Sequence, residues 1–335
     1  MIHVLQKLSV RLSSLIFHNM RTLSNTVCPF CSGRRYYSLN DYCKETFGEK
    51  VYRLSLSGGM TCPNRDGHVG TGGCIFCSSQ GSGDFAGSAR LSIAEQIRQG
   101  KADISSKRPV HSYIAYFQAF TNTYAPVETL RALYMEAIAD PEVKILSIAT
   151  RPDCLGADVL ALLDEINQIK PVWVELGLQT IHPETSAYIR RGYELSVFEQ
   201  AVKELRAIGI TVIVHTILYL PGETKDDMLD TIHYLNHMDI QGIKLQLLHV
   251  LTHTDLAADY EKHPFYIPDM QDYIQFLGTC IAHLNPEIVI HRLTGDGPKD
   301  LLIAPLWTSN KRTVLNQLHS HLKEQDIWQG KEYYV

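Results

Sequence analysis

From residue 51 onward the chain alternates short, nearly unbroken apolar runs with longer segments whose apolar residues recur every three or four positions. The runs are Val51–Ser57, Ser112–Phe117, Val143–Ala149, Val172–Leu178, Thr211–Leu218 and Gly242–Leu248. Strands buried on both faces look like this, whereas a half-solvated strand alternates apolar with polar residues. The intervening segments Ile93–Ser105, Val127–Ala139, Gly156–Ile169, Val197–Ile208 and Lys225–His237 carry the helical period. Six such units predict a parallel sheet covered on both faces. Periodicity does not choose between an incomplete barrel and an open doubly wound sheet. A seventh strand is expected over Glu287–Leu293, followed by the loop Thr294-Gly295-Asp296-Gly297-Pro298. A helix around Arg312–Glu324 and the aromatic end Tyr333-Tyr334 complete the chain. With no internal repeat and no low-complexity linker, the pattern predicts one main domain with an extension at each end.

Composition changes this picture little. The 335 residues are 45% hydrophobic and 20% charged, with 22 Gly and 14 Pro, which excludes a disordered or collagen-like chain. A net charge of −5 excludes binding of nucleic acid by the molecule's overall charge but leaves room for a local basic groove. No apolar run is long enough to span a bilayer, so no membrane partner is expected and the cytoplasm is the expected location. The first 40 residues lack Asp and Glu but contain Lys7, Arg11, Arg21, Arg34 and Arg35. Together with Ser13 and Ser14 this superficially matches an organelle transit peptide; the plainer expectation is a poorly ordered extension over residues 1–35. Eight Cys in a long chain without a clear export signal point to metal binding or chemistry in a reducing compartment rather than to disulfides.

The sharpest motif is Cys62-Pro-Asn-Arg-Asp-Gly-His-Val-Gly-Thr-Gly-Gly-Cys74-Ile-Phe-Cys77. It follows the first strand, which places it in a loop at the C-terminal end of the sheet, where parallel α/β folds build their sites. The glycines permit the tight backbone needed to wrap three thiolates around a compact centre. Soft thiolates favour zinc or iron–sulfur. A structural zinc site is normally closed by four ligands, and His68 would be the fourth. Three Cys on a [4Fe–4S] cube instead leave one iron open to a small molecule.

These residues resemble a known group. The Cys-x11-Cys-x2-Cys spacing is similar to the cluster motif of radical S-adenosylmethionine (SAM) enzymes in its wide-spaced variant, as in the catalytic subunit of the elongator complex and its bacterial relatives. The strings Cys62-Pro-Asn-Arg-Asp-Gly, Gly73-Cys-Ile-Phe-Cys77 and Gly81-Ser-Gly-Asp-Phe85 resemble one family within that group. So do Ser147-Ile-Ala-Thr-Arg-Pro-Asp-Cys154, Glu175-Leu-Gly-Leu-Gln-Thr180 and Thr294-Gly-Asp-Gly-Pro298. The similarity runs from about Tyr36 to the C-terminus. The expected architecture is α/β, an incomplete (βα)6 TIM-type barrel of parallel strands, with the core over residues 46–287 and a C-terminal extension over 288–335.

The resemblance implies a [4Fe–4S] cluster on Cys62, Cys74 and Cys77, with SAM chelated to the open iron. One electron then releases methionine and a 5′-deoxyadenosyl radical, which takes a hydrogen atom from the substrate; a low-potential flavodoxin- or ferredoxin-like donor is implied. The first substrate expected is a side chain on a tRNA wobble uridine, with Lys299, Lys311 and Arg312 as local phosphate contacts. Phe76 matches the aromatic near adenine, and Gln118, Thr150 and Gln179 end the second, third and fourth strands. Where relatives often carry Gly-Gly-Glu, this chain has Tyr116-Phe117-Gln118. Arg191 is expected to pair with the SAM carboxylate, and Gly222 and His249 lie in loops that resemble SAM-facing ones. No catalytic residue is assigned.

Plainer readings stand beside several of these. Gln118 and Gln179 could cap buried backbone. His215, inside an apolar strand, reads as a satisfied core or barrel-lining residue. Pro221-Gly222 is a turn signal anywhere, and Asp84 and Asp296 could simply shape Gly-rich loops. Cys28-Pro-Phe-Cys31 reads as part of an inert tail, or as half a zinc site or a redox couple; Cys154 reads as a packing residue or a reactive thiol. The rival from another class is a non-catalytic iron–sulfur or zinc protein, a redox sensor or interaction module.

Overall fold

The computed structural model describes residue 30 and residues 33–81, 83–106, 110–295 and 297–334. Most of the extension expected over residues 1–35, with its Cys28 and Cys31, and Asp296 of the Thr294–Pro298 loop lie outside the described residues.

The main sheet holds seven parallel strands in the order β1 (Tyr52–Leu56), β2 (Tyr113–Phe117), β3 (Val143–Thr150), β4 (Val172–Gln179), β5 (Thr211–Leu218), β6 (Gly242–Leu247) and β8 (Val289–Arg292). Strand β8 pairs with β6 through Gly242 and Val289, so the boundary expected at residue 287 falls before the last strand of the main sheet. Helices α2 (Ile93–Ser105), α3 (Val127–Ala139), α4 (Ala157–Asn167), α6 (Leu195–Ala207), α7 (Lys225–Asn236) and α9 (Met270–His283) follow successive strands and pack on their outer face. Short helices α5 (Pro183–Tyr188) and α8 (Asp255–Lys262) sit in the loops after β4 and β6. A small ladder of β7 (Val250–Leu251) with β9 (Leu302–Ala304) and the final helix α10 (Lys311–Glu324) complete the chain.

The choice between open sheet and barrel is settled by one contact. Arg53 of β1 and His291 of β8 meet, guanidinium to Nδ1, at 2.9 Å. In a flat sheet six inter-strand steps would separate those strands by about 29 Å. The sheet is therefore curled into an incomplete TIM-type barrel, and the seventh strand expected over Glu287–Leu293 joins it as β8.

Local signals explain where the helices begin. Ser92 Oγ accepts from Glu95 N at 3.2 Å while Glu95 Oε2 accepts from Ser92 N at 3.0 Å, a reciprocal cap that fixes the start of α2. Thr224 and Asp227 repeat the device at α7. Helix α1 (Leu39–Phe47) starts on Ser38 and ends at Gly48, whose φ of 76° is the left-handed turn that glycine supplies. Its Leu39, Tyr42 and Phe47 pack on Ile114, Ile145, Trp173 and Ile213 and close the N-terminal end of the barrel. Tyr42 meets Trp173 edge-on, ring centroids 5.7 Å apart. Residues just before α1 are tied to the C-terminal segment: Arg35 O accepts from Gln329 N at 2.9 Å and Tyr37 O from Ile290 N at 2.8 Å.

Among the described residues no helix is long and apolar enough to cross a membrane. Because the apolar plug seals one end of the lumen, Trp173→Ala should destabilise the protein by about 3–5 kcal/mol, read as a drop in the urea midpoint at unchanged slope. A loss below about 1 kcal/mol would show that this end needs no plug.

Candidate radical-cofactor site

The loop after β1 folds back on itself before α2. Its backbone closes through Gly73 N to Asn64 O at 2.7 Å, Val69 N to Pro63 O at 2.8 Å and Arg65 N to Cys62 O at 2.8 Å. The Arg65 guanidinium spans the loop and donates to Ser78 O at 2.5 Å and Cys77 O at 3.3 Å. Gly73, at φ 86°, lies against it: a Cβ there would be 2.8 Å from Arg65 Nε. Between the last two cysteines, Ile75 is buried among Ile189, Leu220, Leu248 and Leu256, a small apolar cluster separate from the main core. Backbone bonds Ile75 N to Ile189 O and Leu256 N to Ile75 O pin it on both sides.

This fold sets Cys62, Cys74 and Cys77 around the open C-terminal end of the barrel, where they line one cavity of about 260 Å3. Asn64 Nδ2 donates to Cys74 Sγ at 3.5 Å and to Arg190 O at 2.6 Å. Burial, and then the neighbouring Cys77, push the Cys74 thiol up to about 12, so this thiol gives up its proton readily only to a bound metal. Among the described residues no three His, Cys, Asp or Glu side chains converge as a single ion would need. His68, the fourth ligand that a zinc site requires, instead meets Tyr124 with ring centroids 6.3 Å apart. A [4Fe–4S] cube fits a set of three thiolates, because each goes to a different iron and the fourth iron stays open to a small molecule.

The cavity gathers five of the seven residues expected at the cofactor: Phe76, Gln118, Thr150, Gln179 and His249. Gln179 stands at φ 70° beside an irregularity in the β4–β5 pairing, a strained backbone that re-aims the strand end. His249 fits because Gly295 and Gly297 face it; a Cβ on Gly295 would come within 2.5 Å of its ring. Two expected residues lie elsewhere. Arg191 is buried outside the cavity lining, and its guanidinium donates to Thr180 O at 2.6 Å, Leu178 O at 3.1 Å and Tyr193 O at 3.1 Å. Those bonds brace the turn after β4. Gly222, at φ 91°, forms the turn before α7 and does not line the cavity. Arg151 occupies the wall instead, held by Asp153 at 2.7 and 2.9 Å and by Arg191 O at 2.8 Å. Cys154 is half-buried outside the cavity lining, and burial, then Asp153, push its thiol up to about 12, which suits a packing residue.

Below the cysteine loop lies a charged layer that the motif reading did not assemble. Glu175 of β4 is fully buried; Ser147 Oγ of β3 donates to it at 2.8 Å and His215 Nε2 of β5 at 2.7 Å. Lys244 of β6 forms an ion pair with the same carboxylate and also donates to the Tyr116 hydroxyl of β2 at 3.0 Å. Arg53 of β1 approaches Glu175 at 3.4 Å. Burial alone would push the Glu175 carboxyl up, but Lys244 and Arg53 hold it well below the ordinary carboxylate range. Burial, then Lys244, push His215 down to about 4 despite the Glu175 contact, so it is a neutral imidazole donating through Nε2. The signal was present as lone polar residues at alternate positions of otherwise apolar strands, as in Val172-Trp-Val-Glu-Leu-Gly-Leu-Gln179.

The family model of the Radical SAM superfamily matches residues 64–235, just over half of the chain, and the Radical_SAM C-terminal domain model matches residues 240–324. The chain belongs to the Radical SAM superfamily, whose cofactors are a [4Fe–4S] cluster and SAM. It is 44% identical to Bacillus subtilis (strain 168) YtqA over 298 residues, 89% of this chain and 92% of that protein. It is 38% identical to Escherichia coli (strain K12) YhcC over 283 residues, 84% and 90% of the two chains. The archaeal Elp3 of Methanocaldococcus infernus shares the fold with a TM-score of 0.65 at 13% identity, over 83% of this chain; the match spans only 64% of that chain.

The neutrality of His215 carries a pH signature. The unfolded histidine takes up a proton near pH 6.5 and the folded one only near pH 4, so stability is complete above pH 6.5 and falls as pH drops through that window. Urea unfolding across the window should show wild type losing about 3 kcal/mol more than His215→Gln, which keeps a donor to Glu175 but cannot titrate. Parallel losses in the two proteins would place the titration elsewhere.

Proposed function

We propose that this protein cleaves SAM reductively and uses the product to take a hydrogen atom from a substrate, the first candidate being a side chain on a tRNA wobble uridine. The observation that carries the reading is the placement of Cys62, Cys74 and Cys77 over the open end of a lumen large enough to admit a ligand. In this reading the three thiolates hold three irons and leave the fourth for SAM. When bound, the cluster and SAM together supply one-electron cleavage of SAM to methionine and a hydrogen-abstracting 5′-deoxyadenosyl radical. The electron comes from a low-potential donor of flavodoxin or ferredoxin type.

The chain's own residues bind and orient. Phe76, partly buried against the Ile75 cluster, offers a face to adenine. Gln118, Thr150, Gln179 and His249 supply polar contacts around the cavity wall. Arg151, held by Asp153, stands in the wall beside them. Phe85, 57% exposed at the cavity mouth, is placed to cover bound substrate and exclude water. The tRNA candidate is supported by the resemblance to elongator-type proteins and by the exposed Lys299, Lys311 and Arg312.

An anaerobic assay with the cluster-loaded protein, dithionite and SAM should yield 5′-deoxyadenosine, and the Cys62→Ala, Cys74→Ala, Cys77→Ala variant should yield none. Undermodified tRNA from a deletion strain should raise the yield several-fold. A cluster-loaded protein that neither binds nor cleaves SAM would leave the redox-sensor reading in its place. Cleavage that undermodified tRNA fails to stimulate would remove the tRNA candidate alone.

A further inference from the structure

Asn64 stands two residues beyond Cys62, and its buried side chain reaches the second cysteine of the motif. Its Nδ2 donates to Arg190 O at 2.6 Å and to Cys74 Sγ at 3.5 Å. A side-chain amide carries two N–H groups on that nitrogen, so one serves each acceptor. The partners fix which way the amide faces: turned over, Oδ1 would meet a carbonyl oxygen and a metal-bound thiolate, neither of which donates. Tying the cysteine loop to the loop after β4 needs one N–H, the one on Arg190 O. The other is directed at a sulfur that the cluster reading makes a ligand.

The surroundings are shaped around this amide. Gly70 leaves the space it fills, since a Cβ there would come within 2.5 Å of Oδ1. The Asn64 carbonyl is fixed by Gly73 N at 2.7 Å. Arg190, two residues past the end of α5, stands at φ 56°, a left-handed backbone unusual for a residue with a Cβ. That turn presents its carbonyl to Asn64, and its guanidinium is anchored on Asp255. Ile75, next to Cys74, and Ile189, next to Arg190, pack together in the small apolar cluster. The N–H···S contact therefore lies where a hydrogen bond is stronger than in water.

Uptake of one electron makes the cluster one charge more negative, with no bond formed or broken. Hydrogen bonds to the sulfurs help to set how readily that happens, because a donor offsets negative charge that the reduced form holds in greater amount. We propose that Asn64 is a positioning residue acting through Cys74: its hydrogen bond to the sulfur raises the reduction potential of the cluster and eases electron transfer from the low-potential donor. The inference rests on the proposed function, which puts the cluster on Cys62, Cys74 and Cys77.

The test is the reduction potential of the cluster-loaded, full-length protein without SAM, read anaerobically by potentiometry with electron paramagnetic resonance of the reduced cluster. Wild type is compared with Asn64→Leu, which keeps the volume but has no donor, and with Asn64→Ala. In Asn64→Leu the ratio of reduced to oxidised cluster should fall about tenfold at a fixed applied potential, a downward shift of about 59 mV for one electron. Asn64→Ala leaves room for a water that restores part of the bond, so its potential should fall less. A loop merely loosened by substitution would move the potential the other way, because water reaching the cluster favours the more highly charged, reduced form. An unchanged or raised potential in Asn64→Leu therefore overturns the proposal. Should the variants fail to load a cluster, wild type labelled with nitrogen-15 at its asparagine side-chain amides decides alone. Its reduced cluster should show a hyperfine coupling to the label, and absence of that coupling overturns the proposal. Cleavage of SAM is scored separately on the same preparation. Cleavage with a potential indifferent to Asn64 sinks this inference alone; a shifted potential with SAM left intact sinks the proposed function alone; a wild type that loads no cluster sinks both.

Discussion

Glu175 is a carboxylate with no solvent contact, and its oxygens are met by side chains from β1, β3, β5 and β6. Such a group survives burial only when its partners stay in place, and stripping one partner from a buried pair costs about 3–5 kcal/mol. The geometry of the whole sheet answers to that requirement. Residues on strands that would be far apart in a flat sheet reach a single carboxylate because the sheet is curled, and Arg53 completes the curl by meeting His291 across the open edge. The ion network thus ties β1, β3, β5 and β6 to one carboxylate on β4.

From this layer the barrel is organised as a stack. Beneath it, Trp173, Ile114, Ile145 and Ile213 with α1 form a dry plug. Above it come Gln118 and Gln246 and then the cysteine loop, which is fixed by Arg65 across its span and by Ile75 in a separate apolar cluster. Ile114, Ile145, Trp173 and Ile213 of the plug each stand two residues before Tyr116, Ser147, Glu175 and His215 of the layer, and Gln118 and Gln246 stand two residues beyond Tyr116 and Lys244.

The sequence made the strands, most helices and the cysteine loop legible because each rests on local signals: unbroken apolar runs, reciprocal caps at Ser92 and Thr224, and three cysteines at fixed spacing. Barrel closure was not legible, since the Arg53–His291 contact joins positions 238 residues apart. The same limit explains Arg191. An arginine after β4 in the Arg190-Arg191-Gly192 string reads naturally as a ligand contact, but its fate depends on the carbonyls of Leu178, Thr180 and Tyr193 pointing inward. Arg151 stands one residue beyond β3 in the string Ser147–Cys154, yet its place on the wall depends on Asp153 and on the backbone of Arg191 from another loop. The charged layer was visible only as separate oddities, one polar residue per apolar strand, because nothing local says that the oddities meet.

Charge distribution joins these levels to the exterior. The chain carries a net charge of −5, yet the cavity is lined by Arg65, Arg151, Lys244 and Arg292 against Asp84 and Glu175 as its acids. Of the upper cations, Arg151 is neutralised by Asp153 and Arg65 is bound to backbone carbonyls, so both are committed to holding the loop and wall. Lys244 is held by Glu175 in the same way, so these three cations serve first to fix the loop, the wall and the charged layer, whatever the net charge of the molecule.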